Sequence, residues 1–110
     1  MGLQLETVKG GTLIDLLWTN PKSDSAFPKQ TVSLELSMYD AVMVTAISWI
    51  GTNNLLGPVI VPVGENGLIL PYNAINNRVV TVAENGVTFQ DTGNKENDYA
   101  VPKYIYGIKF

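Results

Sequence analysis

The chemistry open to this 110-residue chain is limited by the absence of two residue types, histidine and cysteine. Without an imidazole there is no Ser–His–Asp triad and no histidine-ligated zinc or copper. Without a thiol there is no cysteine nucleophile, disulfide or cysteine-based metal site. The side chains left for acid–base work are ten Asp and Glu residues. We therefore expect a protein that is not an enzyme and that carries no metal or cofactor.

Carboxylates are the first candidates, because two of them about 5 to 9.5 Å apart are the minimum for glycoside hydrolysis. The sequence singles out no such pair, since Glu35 falls on a solvent-facing strand position and Glu65 and Glu84 fall in turns. Asp15 differs because it lies between apolar neighbours in a strand, where an unpaired buried acid is costly. We expect a structural partner for Asp15, with a catalytic role as the alternative.

The polar segment Asp91–Asp98 contains oxygen-bearing side chains of the kind that calcium prefers. They are Asp91, Asn94, Glu96, Asn97 and Asp98. Their spacing departs from the EF-hand pattern, and Lys95 stands in the middle. A solvated loop is therefore expected rather than a calcium site.

Aromatic side chains are the remaining candidates, because their faces pack against the apolar side of sugar rings. Trp18 and Tyr106 follow strand periodicity, which favours core or subunit contacts. Tyr72 and Tyr99 fall in predicted loops, and Trp49 lies near the end of a long apolar stretch. We predict Tyr72, Tyr99 and Trp49 as contacts to a ligand or partner.

Strands must position these side chains, because apolar residues alternate with polar ones along most of the chain. Val32, Leu34 and Leu36 follow this pattern for a half-buried strand. In Thr12–Thr19 the alternation places Ile14, Leu16 and Trp18 on one face. The stretch Ala41–Ile50 is apolar on both sides, which predicts a central strand or an interface.

Two Asn-Gly pairs predict β-hairpins with type I′ turns, because Asn-Gly readily adopts the two positive φ angles of that turn. A loop at Asn85-Gly86 would place Val82 opposite Phe89. The residues predicted to share its apolar face are Val80, Val82, Val87 and Phe89. A loop at Asn66-Gly67 would in the same way place Val63 opposite Leu70.

Six to eight short strands without a convincing amphipathic helix predict an all-β fold, an antiparallel β-sandwich. The length is that of a single domain, residues 1–110, with residues 1–10 as a flexible entry. The longest apolar stretch is about half of what a membrane span requires, and the first ten residues do not resemble a secretion signal. Neither membrane insertion nor export by that route is expected.

The charge pattern is a poor match to nucleic acid. Seven Lys and Arg against ten Asp and Glu give a net charge of −3, and the cations are spread along the chain. Only 15% of residues are charged, whereas 45% are apolar. A surface of this kind favours contact with other proteins.

Five segments of the chain are familiar as a set. They are Leu17-Trp-Thr-Asn, Ser25-Ala-Phe-Pro-Lys-Gln-Thr-Val-Ser-Leu-Glu-Leu-Ser-Met-Tyr-Asp-Ala-Val, Arg78-Val-Val-Thr-Val, Gly86-Val-Thr-Phe and Val101-Pro-Lys-Tyr-Ile-Tyr-Gly-Ile-Lys. These segments resemble tail-associated proteins of long-tailed phages of Gram-positive bacteria. Together they cover about two-thirds of the chain, and none is a catalytic motif. The resemblance implies a β-sandwich similar to a domain of phage receptor-binding proteins.

The resemblance also implies a virion protein of the tail, baseplate or host-adsorption apparatus, made in the host cytoplasm. Its partners would be other tail proteins and, for a receptor-binding module, host cell-wall polysaccharide. The receptor-binding analogy implies a homo-oligomer, a trimer, in the virion. The alternative is a stand-alone carbohydrate-binding β-sandwich module of other origin.

Overall fold

The computed structural model describes residues 12–52, 54–70, 77–93 and 96–110, and these residues form strands, turns and loops without a helix. The strands are β1 Leu13–Thr19, β2 Gln30–Ser33, β3 Ala41–Trp49, β4 Val59–Pro62, β5 Asn66–Ile69, β6 Arg78–Ala83, β7 Gly86–Phe89 and β8 Tyr99–Lys109. Sheet I has the order β1-β8-β3-β4, and sheet II has the order β2-β7-β6-β5. All pairings are antiparallel. The predicted all-β antiparallel sandwich is confirmed.

The core lies between the two sheets and consists of the inward-facing residues of each strand. Sheet I contributes Val42, Val44, Val61 and Ile105, and sheet II contributes Ile69, Val80, Val82, Val87 and Phe89. The ends of β3 and β8 add Ala46, Ile47, Ala100 and Val101, and the connections add Leu36 and Phe27. Each fully buried side chain of this size contributes roughly 1.5–3 kcal/mol relative to exposure, which holds the sheets together without a disulfide.

The stretch Ala41–Ile50 forms the central strand that its two-sided apolar pattern predicts. β3 covers Ala41–Trp49 and lies between β8 and β4. Val42 and Val44 face the core, and the alternation of the strand places Met43 on the opposite, outer face.

The hairpin predicted at Asn85-Gly86 exists, but its predicted register is wrong. Val82 pairs with Val87 and Ala83 with Gly86, so the two-residue turn is Glu84-Asn85. The shift of two residues keeps every side chain on its predicted face, and the four predicted apolar residues are all buried. Neither turn residue has a positive φ, so the turn is not type I′.

Gly86 serves a different purpose, which is close approach between strands. A Cβ at this position would lie 2.7 Å from the carbonyl oxygen of Val32 in the neighbouring β2. Glycine is therefore required because backbone, and not a movable side chain, fills the space.

The prediction of a β-hairpin at Asn66-Gly67 is wrong, because the two strands that flank this turn do not pair with each other. β4 pairs with β3 in sheet I, whereas β5 pairs with β6 in sheet II. The chain changes sheets between them, and Gly64 adopts a φ of 97° at this corner. The Gly64 N–H donates to the Val82 carbonyl at 2.7 Å, which ties the corner to sheet II. The special backbone position is thus the glycine two residues before the Asn-Gly pair.

The prediction that Ile14, Leu16 and Trp18 share one face is also wrong, because β1 contains a bulge. Leu16 pairs with Tyr106 but Trp18 pairs with Ile105, which leaves Leu17 as an extra residue. Trp18 consequently packs on the core, with ring centroids 6.2 Å from Phe27 and 6.5 Å from Phe89. Ile14 and Leu16 stay on the outer face.

Two further expectations concern the first ten residues and membrane insertion. The flexible entry predicted for residues 1–10 lies outside them. Within the described residues, no helix is long and apolar enough to cross a membrane.

Candidate functional site

Two of the three predicted contact residues, Trp49 and Tyr99, lie side by side. Trp49 in β3 is the cross-strand partner of Tyr99, which begins β8 instead of lying in a loop. Their ring centroids are 6.3 Å apart at an interplanar angle of 33°. Trp49 is 38% exposed. A Cβ at Gly51 would collide with the Trp49 ring, so this glycine lets the ring lie against the chain.

The third predicted contact residue, Tyr72, lies outside the described residues.

The outer face of sheet I is a second surface, exposed at its edge strands and more covered at its centre, and we call it the sheet I face. One row crosses all four strands, because Leu16 pairs with Tyr106, Tyr106 with Met43, and Met43 with Ile60. Both ends of this row are open to solvent, with Leu16 and Ile60 each 54% exposed. The next row consists of Ile14, Ile108, Ala41 and Pro62. Its ends, Ile14 and Pro62, are exposed, whereas Ile108 and Ala41 are buried. None of these eight residues is charged.

The outer face of sheet II has a different chemistry. Its central row consists of Thr31, Thr88, Thr81 and Asn66, each opposite the next across the sheet. The hydroxyls of Thr31 and Thr88 are hydrogen-bonded at 2.8 Å. Val79 and Leu68 form an exposed apolar pair beside this row. The two outer faces of the sandwich therefore differ, one being mainly polar and the other mainly apolar.

A third feature is a cleft of about 540 Å³ between the loop after β1 and strand β2. It is lined by Trp18, Asn20, Pro21, Lys22, Ser25, Ala26, Phe27, Gln30, Thr31, Val32 and Ser33. Lys22 is the one charged residue in this lining. The Asn20 side chain shapes the loop, because its Nδ2 donates to the Pro102 carbonyl and its Oδ1 accepts from the Lys22 N–H.

Arg78, the single arginine of the chain, has a structural role in holding backbone segments together. Its side chain is completely buried and donates to four carbonyls. Nε binds Ala100 at 2.9 Å, Nη1 binds Phe27 at 2.8 Å and Gln90 at 2.6 Å, and Nη2 binds Tyr99 at 3.2 Å. Burial lowers its pKa to about 10, and the charge of Asp91 opposes that shift. Arg78 therefore stays charged at neutral pH and joins three segments of the chain.

Asp15 has the structural partner that the sequence analysis expects. Its Oδ2 accepts a hydrogen bond of 2.9 Å from the Tyr39 hydroxyl. Burial raises the pKa of Tyr39, and the hydrogen bond to Asp15 and the charge of that carboxylate raise it further. Asp15 is exposed and lies at an edge strand of sheet I.

In the segment Asp91–Asp98, two of the candidate oxygens bind backbone N–H groups. Asp91 accepts from the Lys29 N–H at 2.8 Å, and Asn97 accepts from the Thr92 N–H at 2.8 Å. Asn94 and Lys95 lie outside the described residues. Among the residues described, no group of three or more Asp or Glu side chains is placed to hold a metal ion.

Comparison of the chain with protein-family models, curated proteins and solved structures gave no match. The features that bear on function are therefore the three surfaces: the aromatic pair, the sheet I face and the cleft. Sequence patterns indicated the first two, through Trp49 and through the apolar residues on both sides of Ala41–Ile50. The cleft left no such signal, because it depends on how the loop after β1 lies against β2.

Proposed function

We propose that this protein is a structural part of a phage tail or host-adsorption apparatus and assembles with other tail proteins through the sheet I face. The observation that carries the proposal is the uncharged row of Leu16, Tyr106, Met43 and Ile60 across four strands. The phage assignment rests on the sequence resemblance, and the interface rests on the structure. Host recognition is a second role that the same apparatus would perform.

Physical chemistry favours an interface on this face. Burial of apolar surface contributes roughly 25 cal/mol per Å² removed from water, and protein interfaces are depleted of charge at their centre. The row ends in two aliphatic side chains that are more than half exposed and has Tyr106 and Met43, residue types enriched in interfaces, in its middle. Covering a sheet face of this composition costs little free energy for the desolvation of charged groups, and the burial of its apolar surface contributes a favourable free energy.

The test uses phage particles that carry the gene for this chain. Variants Ile60→Glu and Leu16→Glu place a charge in the sheet I face. Val79→Glu is the matched control, because it places the same charge at an exposed apolar position of sheet II. Circular dichroism and thermal melting verify that each variant folds.

The proposal expects gold-labelled antibody to mark the tail tip of particles with the wild-type chain or Val79→Glu. It expects purified particles with Ile60→Glu or Leu16→Glu to lose the chain on immunoblots. Wild-type particles without the chain would overturn the phage role. Full incorporation of the Ile60→Glu and Leu16→Glu variants would overturn the interface.

The second candidate is a carbohydrate-binding module, and the observation that favours it is the Trp49–Tyr99 pair, in which Trp49 is exposed and Tyr99 half-buried. Aromatic rings at a surface stack against the apolar face of sugars. If this role is correct, Trp49→Ala abolishes binding to host cell-wall polysaccharide in a pull-down, and Leu68→Ala, on the other sheet, leaves it unchanged. Equal binding by the two variants would exclude the aromatic pair as the site.

A further inference from the structure

Strand β2 is an edge of sheet II, and within the described residues it pairs only with β7. The Leu34 N–H donates to the Asn85 carbonyl beyond the end of this pairing, in the same register. Residues of a strand direct their backbone groups to alternate sides. Val32 therefore faces β7 with its N–H and C=O, whereas Thr31 and Ser33 direct theirs away from the sheet.

The cleft lies along this open side of β2. One wall contains Gln30–Ser33, and the other is the loop Asn20–Phe27, with Trp18 and Phe27 as aromatic lining. The loop is fixed in place, because the Asn20 N–H donates to Lys103, Ser25 to Lys22, and Phe27 to Asn97. The loop that forms the wall opposite the edge of β2 is therefore pre-organised.

Three of the polar side chains that line the cleft already have hydrogen-bond partners. Both polar atoms of the Asn20 side chain bind backbone groups, the Thr31 hydroxyl pairs with Thr88, and Nε2 of Gln30 donates to the Pro28 carbonyl. The backbone groups of Thr31 and Ser33 offer two donors and two acceptors in the spacing of a strand. Beside the side chains of Lys22, Ser25 and Ser33, the cleft therefore offers a peptide the main-chain hydrogen-bonding groups of an edge strand.

We propose that this cleft binds an extended peptide segment of another protein, which adds to sheet II as a strand beside β2. Main-chain hydrogen bonds to Thr31 and Ser33 hold the peptide, and every second side chain enters the cleft toward Trp18. Lys22, as the one charged residue in the lining, favours an acidic side chain over a basic one. This site is separate from the sheet I face, so failure of either proposal leaves the other standing.

The probe is an arrayed library of acetylated and amidated heptapeptides in which Val, Ile, Tyr or Thr alternates with Glu, Ser or Lys. The folded 110-residue chain is labelled and tested against the array, and Kd values of binders are measured by fluorescence anisotropy. Thr31→Pro removes the N–H that points into the cleft and leaves the pairing of β2 with β7 intact, because proline is tolerated at such an edge position. Thr31→Ala is its matched control, since it removes the same hydroxyl contact but keeps the N–H.

The proposal expects binders whose Kd rises about tenfold or more with Thr31→Pro and stays near the wild-type value with Thr31→Ala. It also expects a period of two in the peptide: N-methylation of one alternate set of residues abolishes binding, and N-methylation of the other set does not. The peptide series tests the wild-type chain, so it remains decisive if Thr31→Pro fails to fold. Among binders, replacing Glu by Lys weakens binding to the wild type, and Lys22→Glu reverses that preference.

Three results would overturn this assignment. The first is a library with no peptide bound above background. The second is binding that is indifferent to the position of N-methylation, which would show recognition of side chains alone. The third is a dimer of the wild-type chain in sedimentation that Thr31→Pro dissociates, which would assign the edge to a second copy.

Discussion

Arg78 is the residue on which the connections of the sandwich most depend. Four carbonyls, from Phe27, Gln90, Tyr99 and Ala100, point at one buried guanidinium. A planar group with five N–H donors can serve several acceptors at once, which an ammonium on a flexible stem cannot do in the same directions. The cation therefore joins the loop before β2, the end of β7 and the start of β8.

We predict that Arg78→Met lowers the free energy of unfolding by about 3 kcal/mol or more, because each buried carbonyl left without a partner costs roughly 1–3 kcal/mol. Arg78→Lys keeps the charge but loses the planar fork, so it also destabilises the protein. Urea denaturation measures both effects. Lys109→Met, at an exposed position, is the control and is expected within about 0.5 kcal/mol of wild type. A similarly small effect of Arg78→Met would refute this role.

Tyr39 gives a second prediction at this scale, through its pKa. Burial of the ring, the hydrogen bond to Asp15 and the charge of Asp15 all raise that pKa above the ordinary 10.0. Because the folded state holds the proton more tightly, this contribution to stability is present below pH 10 and is lost as pH rises above it. We predict that Asp15→Asn lowers the pKa of Tyr39 in an alkaline absorbance titration. The Tyr39→Phe protein identifies the Tyr39 signal, and an unchanged titration of Asp15→Asn would contradict the prediction.

At the scale of elements, the alternation of apolar residues was enough to predict the buried face of the hairpin of β6 and β7. Val80, Val82, Val87 and Phe89 share the core face as expected, although their pairing is shifted by two residues. A shift of two is invisible to the alternation, because side chains repeat every second residue. The Asn-Gly pairs predicted the strand register less well than the alternation predicted the buried face, because Asn-Gly permits a type I′ turn but does not require it.

The features that could not be predicted depend on contacts between distant segments. The bulge at Leu17 moves Trp18 from the outer face to the core and follows from the pairing of β1 with β8. The crossing from sheet I to sheet II at Gly64 depends on the partners of β4 and β5. The same reason explains the candidate sites: Trp49 and Tyr99 meet only because β3 pairs with β8, and the cleft forms only where a loop lies against an edge strand.

Gly86 allows a test of one such contact. In Gly86→Ala the added methyl group would lie 2.7 Å from the Val32 carbonyl oxygen, so β2 must move. We predict a loss of about 1–3 kcal/mol in the free energy of unfolding, the usual cost of overpacking. Gly57→Ala is the matched control, because no atom lies within 4 Å of its added Cβ. Equal stabilities of the two variants in urea denaturation would show that β2 does not constrain Gly86.

At the scale of the whole molecule, the sandwich presents different chemistry on its surfaces. Sheet I carries an uncharged row of apolar and aromatic residues, and sheet II carries the row of Thr31, Thr88, Thr81 and Asn66. The cleft beside β2 adds an open strand edge at a third position. If both proposed interfaces form, the protein contacts two neighbours at once, one through a face and one through an edge.

The order of sheet I also determines how the molecule folds, because β8, the last strand, lies between β1 and β3. Leu13 pairs with Lys109 and Ala41 with Ile108, so the sheet cannot close until segments far apart in sequence have met. Folds dominated by such pairings fold in about milliseconds to seconds. We predict single-exponential refolding in that range by tryptophan fluorescence, and coincident unfolding transitions by fluorescence and far-UV circular dichroism. Microsecond refolding, or two separated transitions, would show that one sheet forms without the other and that β8 does not couple them.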